Sequence, residues 1–149
     1  MFLRNTSKHP DDEVRSLIEF AAKPFELRYV CVNVRGTSHP FAGMAYRGVP
    51  HMSNAPRTAK YLVALRIGAA HHFIEREITN LRTNAAGEKQ PYGGKRSPLI
   101  HYRSWREALV AVAAHEFKHI EQFQTKKPAA EWQCERAAFN ALERYRANT

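Results

Sequence analysis

Acid is what long parts of this chain lack. No aspartate or glutamate occurs from residue 27 to 74, where Arg28, Arg35, Arg47, Arg57, Lys60 and Arg66 accumulate, and none from 89 to 106. The chain as a whole carries 23 Lys and Arg against 14 Asp and Glu, a formal net charge of +9. That excess favours nucleic acid or acidic surfaces as partners, although a long-range field is not a recognition code. Cysteine is scarce as well. Cys31 and Cys134 lie far apart and form no CxxC pair, which argues against a disulfide scaffold or a Cys-type zinc site and predicts two small buried residues. Long apolar runs are missing; the longest, residues 108–114, is far too short for a bilayer, so no membrane partner is expected. Residues 1–8 contain no apolar stretch of the secretory type, which makes the cytoplasm the default compartment.

What is present suits one globular domain spanning residues 1–149, with 44% hydrophobic and 25% charged residues. Residues 1–9 read as a loose lead-in. Pro10 opens a helix with Asp11, Asp12 and Glu13 in its first turn; Val14, Leu17, Ile18 and Ala21 make its apolar stripe, and Pro24 ends it. Residues 25–35 form the clearest strand, with residues 44–49 a weaker second and Tyr61–Ile67 a third. Residues 69–82 lean toward strand. Residues 83–98, with Gly87, Pro91, Gly93, Gly94 and Pro98, read as a long polar loop. Two helices close the chain, at residues 105–124 and 130–147. This order predicts an α+β fold with helices on one face of a small mixed or antiparallel sheet. The last two helices should be antiparallel neighbours.

Chemistry concentrates on the first of those helices. Ser104 is a good N-cap, and Glu107 completes a capping box with it. Leu109, Val112, Ile120 and Phe123, with Ala108, Ala111, Ala113 and Ala114 between them, predict that the helix is largely buried. It carries His115-Glu116-Phe117-Lys118-His119. His115 and His119 stand one turn apart, with Cβ atoms roughly 5–6 Å from each other. Two imidazoles so placed can hold one Zn²⁺, and Glu116 can take a proton from an attacking water. A catalytic zinc needs a third protein ligand, and no histidine follows His119. Glu131 and Glu135 are the carboxylates on the next helix, four apart on one face. One would bind the metal and the other would accept the free N–H of a ligand histidine. Cys134, between them, is a further candidate ligand. His101 and Tyr102 are candidates for steadying an oxyanion, against a capping or packing role. His71 and His72 would point to opposite faces of a strand and cannot chelate together.

The HExxH segment with Ile120 and Gln122, followed by Glu131 and Glu135 on the next helix, resembles the gluzincin zinc metallopeptidases. The likeness is to small phage-type and SprT-like members and covers residues 102–145. It implies a zincin-like fold in which the HExxH helix is followed by an antiparallel C-terminal helix. It implies Zn²⁺ on His115, His119 and Glu131, Glu116 as general base, and Glu135 supporting a ligand histidine. Glu135 stands where the family often has Asp, and the short interval after His119 demands a minimal turn. Gln122 and Thr125 occupy the positions of the metzincin glycine and third histidine, and the downstream histidine common in the SprT-like group is absent. The expectation is a cytoplasmic, phage-type metallopeptidase whose peptide or protein substrate lies along a sheet edge, with Tyr61–Ile67 the candidate edge. The alternative is a non-catalytic basic protein, associated with nucleic acid or a virion, whose zinc is structural.

Overall fold

A computed structural model of the protein describes residues 1–38, 41–49, 55–68, 74–77, 82–83, 89–90 and 99–149. Its elements in chain order are β1 (Phe2–Asn5), α1 (Asp11–Ala22), β2 (Val30–Gly36), β3 (Phe41–Tyr46) and β4 (Tyr61–Ile67). Four short strands follow, β5 (Ile74–Glu77), β6 (Arg82–Thr83), β7 (Lys89–Gln90) and β8 (Leu99–Tyr102), and then α2 (Trp105–Gln124) and α3 (Glu131–Ala147). The main sheet has the order β1-β2-β4-β3, with β1, β2 and β4 parallel and β3 antiparallel to β4. The fold is α+β with a small mixed sheet. None of the described helices is long and apolar enough to cross a membrane.

Alternation along the strands decides where the core sits. Val30, Val32 and Val34 of β2 and Val63, Leu65 and Ile67 of β4 point to one face. There they join the α1 stripe of Val14, Leu17, Ile18 and Ala21, and most of α2, in one buried cluster. Each such aliphatic side chain contributes about 1.5–3 kcal/mol by leaving water. Helix α2 lies against the sheet, α1 and α3, which explains its composition. Ala108, Ala111, Ala113 and Ala114 are all at most 2% exposed, and their small size lets neighbours approach on several sides.

Several expectations are corrected. The opening residues are not a loose lead-in, because Phe2–Asn5 pairs in parallel with residues 31–34 of β2. Strand β2 begins at Val30 rather than residue 25. The preceding residues are held in turns, where the Glu26 carboxylate accepts from the Arg28 N–H and the Leu27 carbonyl from the Val30 N–H. Strand β3 is Phe41–Tyr46, not residues 44–49. Tyr61–Ile67 has the predicted bounds but is no edge: β2 pairs on one side and β3 on the other, so β3 takes the edge position. Within residues 69–82, β5 pairs with β8, and the expected loop of 83–98 carries β7, paired with β6. The rest of that loop, including Tyr92, and His71 and His72 lie outside the described residues.

The C-terminal helices are antiparallel. Glu107 meets Arg146, His115 meets Glu135, and Gln122 meets Gln133, so contacts run in opposite directions along the pair. Their turn is closed by the Lys126 N–H on the Phe123 carbonyl and the Lys127 N–H on the Gln122 carbonyl. This is a Schellman arrangement, with Lys126 at φ 55° where glycine is usual. Ser104 caps α2 by accepting from the Glu107 N–H. The Glu107 carboxylate does not return to the Ser104 N–H as a capping box requires; it accepts from the Arg103 N–H at 2.9 Å and from Arg146 at 2.9 and 3.0 Å.

Burial pushes the Glu107 carboxyl up, but the Arg146 hydrogen bonds, the Arg103 N–H and the neighbouring guanidinium charges outweigh it and hold the group below its usual range. A depressed carboxyl contributes stability that is present above its unfolded pKa and lost as pH falls through the folded one. Arg146 keeps 32% of its side-chain surface in water, which discounts the value of the pair. Glu107→Gln should therefore lower unfolding free energy by about 2–3 kcal/mol at pH 7. The gap from wild type should narrow below about pH 4, as read by urea unfolding across pH.

Candidate metal centre

Midway along α2, His115 is 7% exposed and Glu116 5% exposed. The His115 and His119 rings lie 5.2 Å apart between centroids at 63°, as one helical turn dictates. From the first turn of α3, the Glu131 carboxylate reaches both imidazoles. Its Oε2 is 3.2 Å from His115 Nε2, and its Oε1 is 2.9 Å from His119 Nε2. Glu135 approaches the other side of His115, with Oε1 3.7 Å from Nδ1. Both Nε2 atoms thus turn to one shared carboxylate, while each Nδ1 faces a group behind the ring.

Behind His119 that group is Gln122. Its Oε1 accepts from His119 Nδ1 at 3.2 Å, which orients the ring so that Nε2 turns to the Glu131 carboxylate. The amide nitrogen of Gln122 donates to the Ala130 carbonyl at 3.1 Å and to Gln133 Oε1 at 3.0 Å. Ala130 is the N-cap of α3, directly before Glu131. One buried amide, 2% exposed, therefore orients a histidine and pins the backbone that delivers the carboxylate. Its place in the sequence resemblance gave no sign of this double role.

Two overlapping sets of ligand atoms lie within 4.8 Å of one another: His115 with Glu131 and Glu135, and His115 with His119 and Cys134. These groups could hold a metal ion. Cys134 is fully buried, its thiol 3.8 Å from Gln122 Oε1. Burial, reinforced by Glu131, Glu116 and Glu135, pushes that thiol up to about 12. With no cation beside it the thiol stays protonated at neutral pH, whereas a coordinated cation deprotonates a thiol outright, so Cys134 stands with the carboxylates as a candidate donor. Imidazole, carboxylate and thiol are the donor types that divalent transition-metal ions take, and Glu131 meets both imidazoles through its two oxygens.

Strand β3 passes directly beside the site. A Cβ on Gly43 would stand 2.8 Å from Glu116 Cγ and Val112 Cγ2 and 2.9 Å from Glu116 Oε1. Only glycine lets the strand backbone approach the Glu116 carboxylate this closely. Beyond the end of β3, Arg47 lies over the Phe123 ring at 5.0 Å, and Phe123 stacks on His119 at 6.4 Å. Neither Gly43 nor Arg47 carried a signal readable from one sequence. Tyr102 is a core side chain, 3% exposed and edge-on to Phe41 at 5.3 Å. The side chain of His101 lies outside what is described.

Comparison with known proteins finds no matching family model, no similar curated protein and no similar solved structure. The site therefore rests on its own geometry. With Zn²⁺ as the probe ion, removing the amide that orients His119 should weaken metal binding at this site about 10–100-fold in Gln122→Ala, as read by competition with a chromophoric chelator.

Proposed function

We propose that this chain is a zinc-dependent metallopeptidase that hydrolyses peptide bonds with Glu116 as general base. The observation that carries the reading is the single Glu131 carboxylate set against Nε2 of both His115 and His119. His115, His119 and Glu131 would hold the ion, and Glu135 and Gln122 would fix the two imidazoles from behind. When bound, zinc would serve as a Lewis acid that polarises the scissile carbonyl and brings the pKa of an attacking water toward neutrality. Glu116 takes the proton of that water and returns it to the leaving amine. The close Gly43 backbone limits where the Glu116 carboxylate can swing.

Openness of the site favours catalysis over a structural zinc. Structural zinc is closed in by four protein ligands, whereas the Glu131 side chain is 68% exposed and leaves an approach from solvent. The sheet order supports a substrate path along β3. β3 occupies the edge, beside Glu116, and pairs on its outer side with no described strand. An extended peptide adding to that edge would bring its backbone past the general base. β3 therefore replaces Tyr61–Ile67 as the proposed substrate strand.

Zinc-loaded protein should cleave members of a mixed peptide library and stop when a chelator is added. Glu116→Gln should bind zinc like wild type and lose about 10²–10⁴-fold in kcat. Undiminished cleavage by that variant would remove the catalytic assignment. A library left intact by zinc-loaded wild type would favour the structural-zinc alternative.

A further inference from the structure

The face of the main sheet turned away from the helices has its own chemistry. Alternation puts Arg4 of β1, Asn33 and Arg35 of β2 and Arg66 of β4 on that side. Arg4 stands opposite Asn33, and Arg35 opposite Arg66, in the parallel register. Like charges facing each other across adjacent strands oppose the pairing. Among the described residues no carboxylate meets Arg4, Arg35 or Arg66, and the sequence offers none from 27 to 74. The three guanidinium groups are thus gathered and exposed, with no counter-ion among the described residues.

A cavity of about 160 Å³ opens beside two of them, lined by Arg4, Thr6, Asn33 and Arg35. Asn33 is 7% exposed, so a buried carboxamide lies among the exposed cations. Its oxygen accepts from the Cys31 thiol at 3.7 Å. The positive field of Arg4 reaches this floor, where it partly offsets the rise that burial imposes on Cys31. Two planar forks and an amide together match the several acceptor oxygens of a tetrahedral oxyanion, while the Thr6 hydroxyl donates to the Val34 carbonyl at 3.4 Å and only walls the cavity.

We infer that this pocket binds a phosphate group, either as free phosphate or within the phosphodiester backbone of a single-stranded nucleic acid. Arg4 and Arg35 supply the forks, and Asn33 and Thr6 line the seat. Arg66 extends the positive row so that a second phosphate of a continuous strand has a partner. The pocket lies on the opposite face from His115, His119 and Glu131 and does not depend on the peptidase reading.

The test uses the full chain with two probes, a labelled oligo-dT of about 20 nucleotides followed by anisotropy and inorganic phosphate followed by amide chemical shifts. The variant is Arg4→Gln with Arg35→Gln, both exposed, with circular dichroism checking the fold. The control, Arg15→Gln with Lys23→Gln, removes the same charge from α1. The pocket variant should bind oligonucleotide at least about tenfold more weakly than the control, with a log–log salt slope shallower by about 1. Loss of phosphate shifts in the pocket variant, with unchanged oligonucleotide affinity, would assign the site to free phosphate. If pocket variant and control behave alike toward both probes, the inference is wrong.

Discussion

One carboxylate has to meet two imidazoles across the boundary between two helices, and the C-terminal half is shaped by that demand. Glu131 is the first residue of α3, only twelve positions after His119, so the chain must reverse within 125–130. The Schellman closure around Lys126 provides the reversal, in a backbone conformation that a lysine adopts at some cost. Gln122 then ties the start of α3 to the same turn of α2 that carries His119. At the far end of the pair, Arg146 and Glu107 lock the register. The same two helices are therefore clamped on both sides of the cluster.

The sheet completes the arrangement from the other side. α2 is buried along most of its length, so its polar residues need partners supplied by neighbouring elements. Glu135 and Glu131 come from α3, and the backbone of β3 closes over Glu116. Positive charge is sorted by location. The carboxylates gather around the imidazoles, while Arg4, Arg35 and Arg66 occupy the opposite face of the sheet.

Legibility in the sequence followed the range of the interactions involved. Helix α2 could be bounded to the residue because its cap is local, and the α1 stripe because its period is. Strand β4 was equally clear as a run of apolar residues. Its place in the sheet was not, since strand order is a long-range property that one strand does not encode. β1 escaped notice for the same reason: four residues gain order only by pairing with a strand some 29 positions away. The start of β2 was misplaced because residues 25–29 include β-prone types that the Glu26 and Leu27 turns use otherwise. Within the site, one-turn spacing made the histidine pair visible, and the four-residue spacing of Glu131 and Glu135 marked the two acids that α3 sets beside it. Gln122 and Gly43 depend on neighbours from other elements, and no local pattern marks them.

The account stands or falls on a divalent ion held by His115, His119 and Glu131. Elemental analysis of zinc-loaded, extensively dialysed protein tests this most directly, with His115→Ala and Cys134→Ser measured alongside wild type. About one zinc per chain is expected in wild type and in Cys134→Ser, and none in His115→Ala. A wild type without zinc, or a His115→Ala protein that keeps it, would contradict the account.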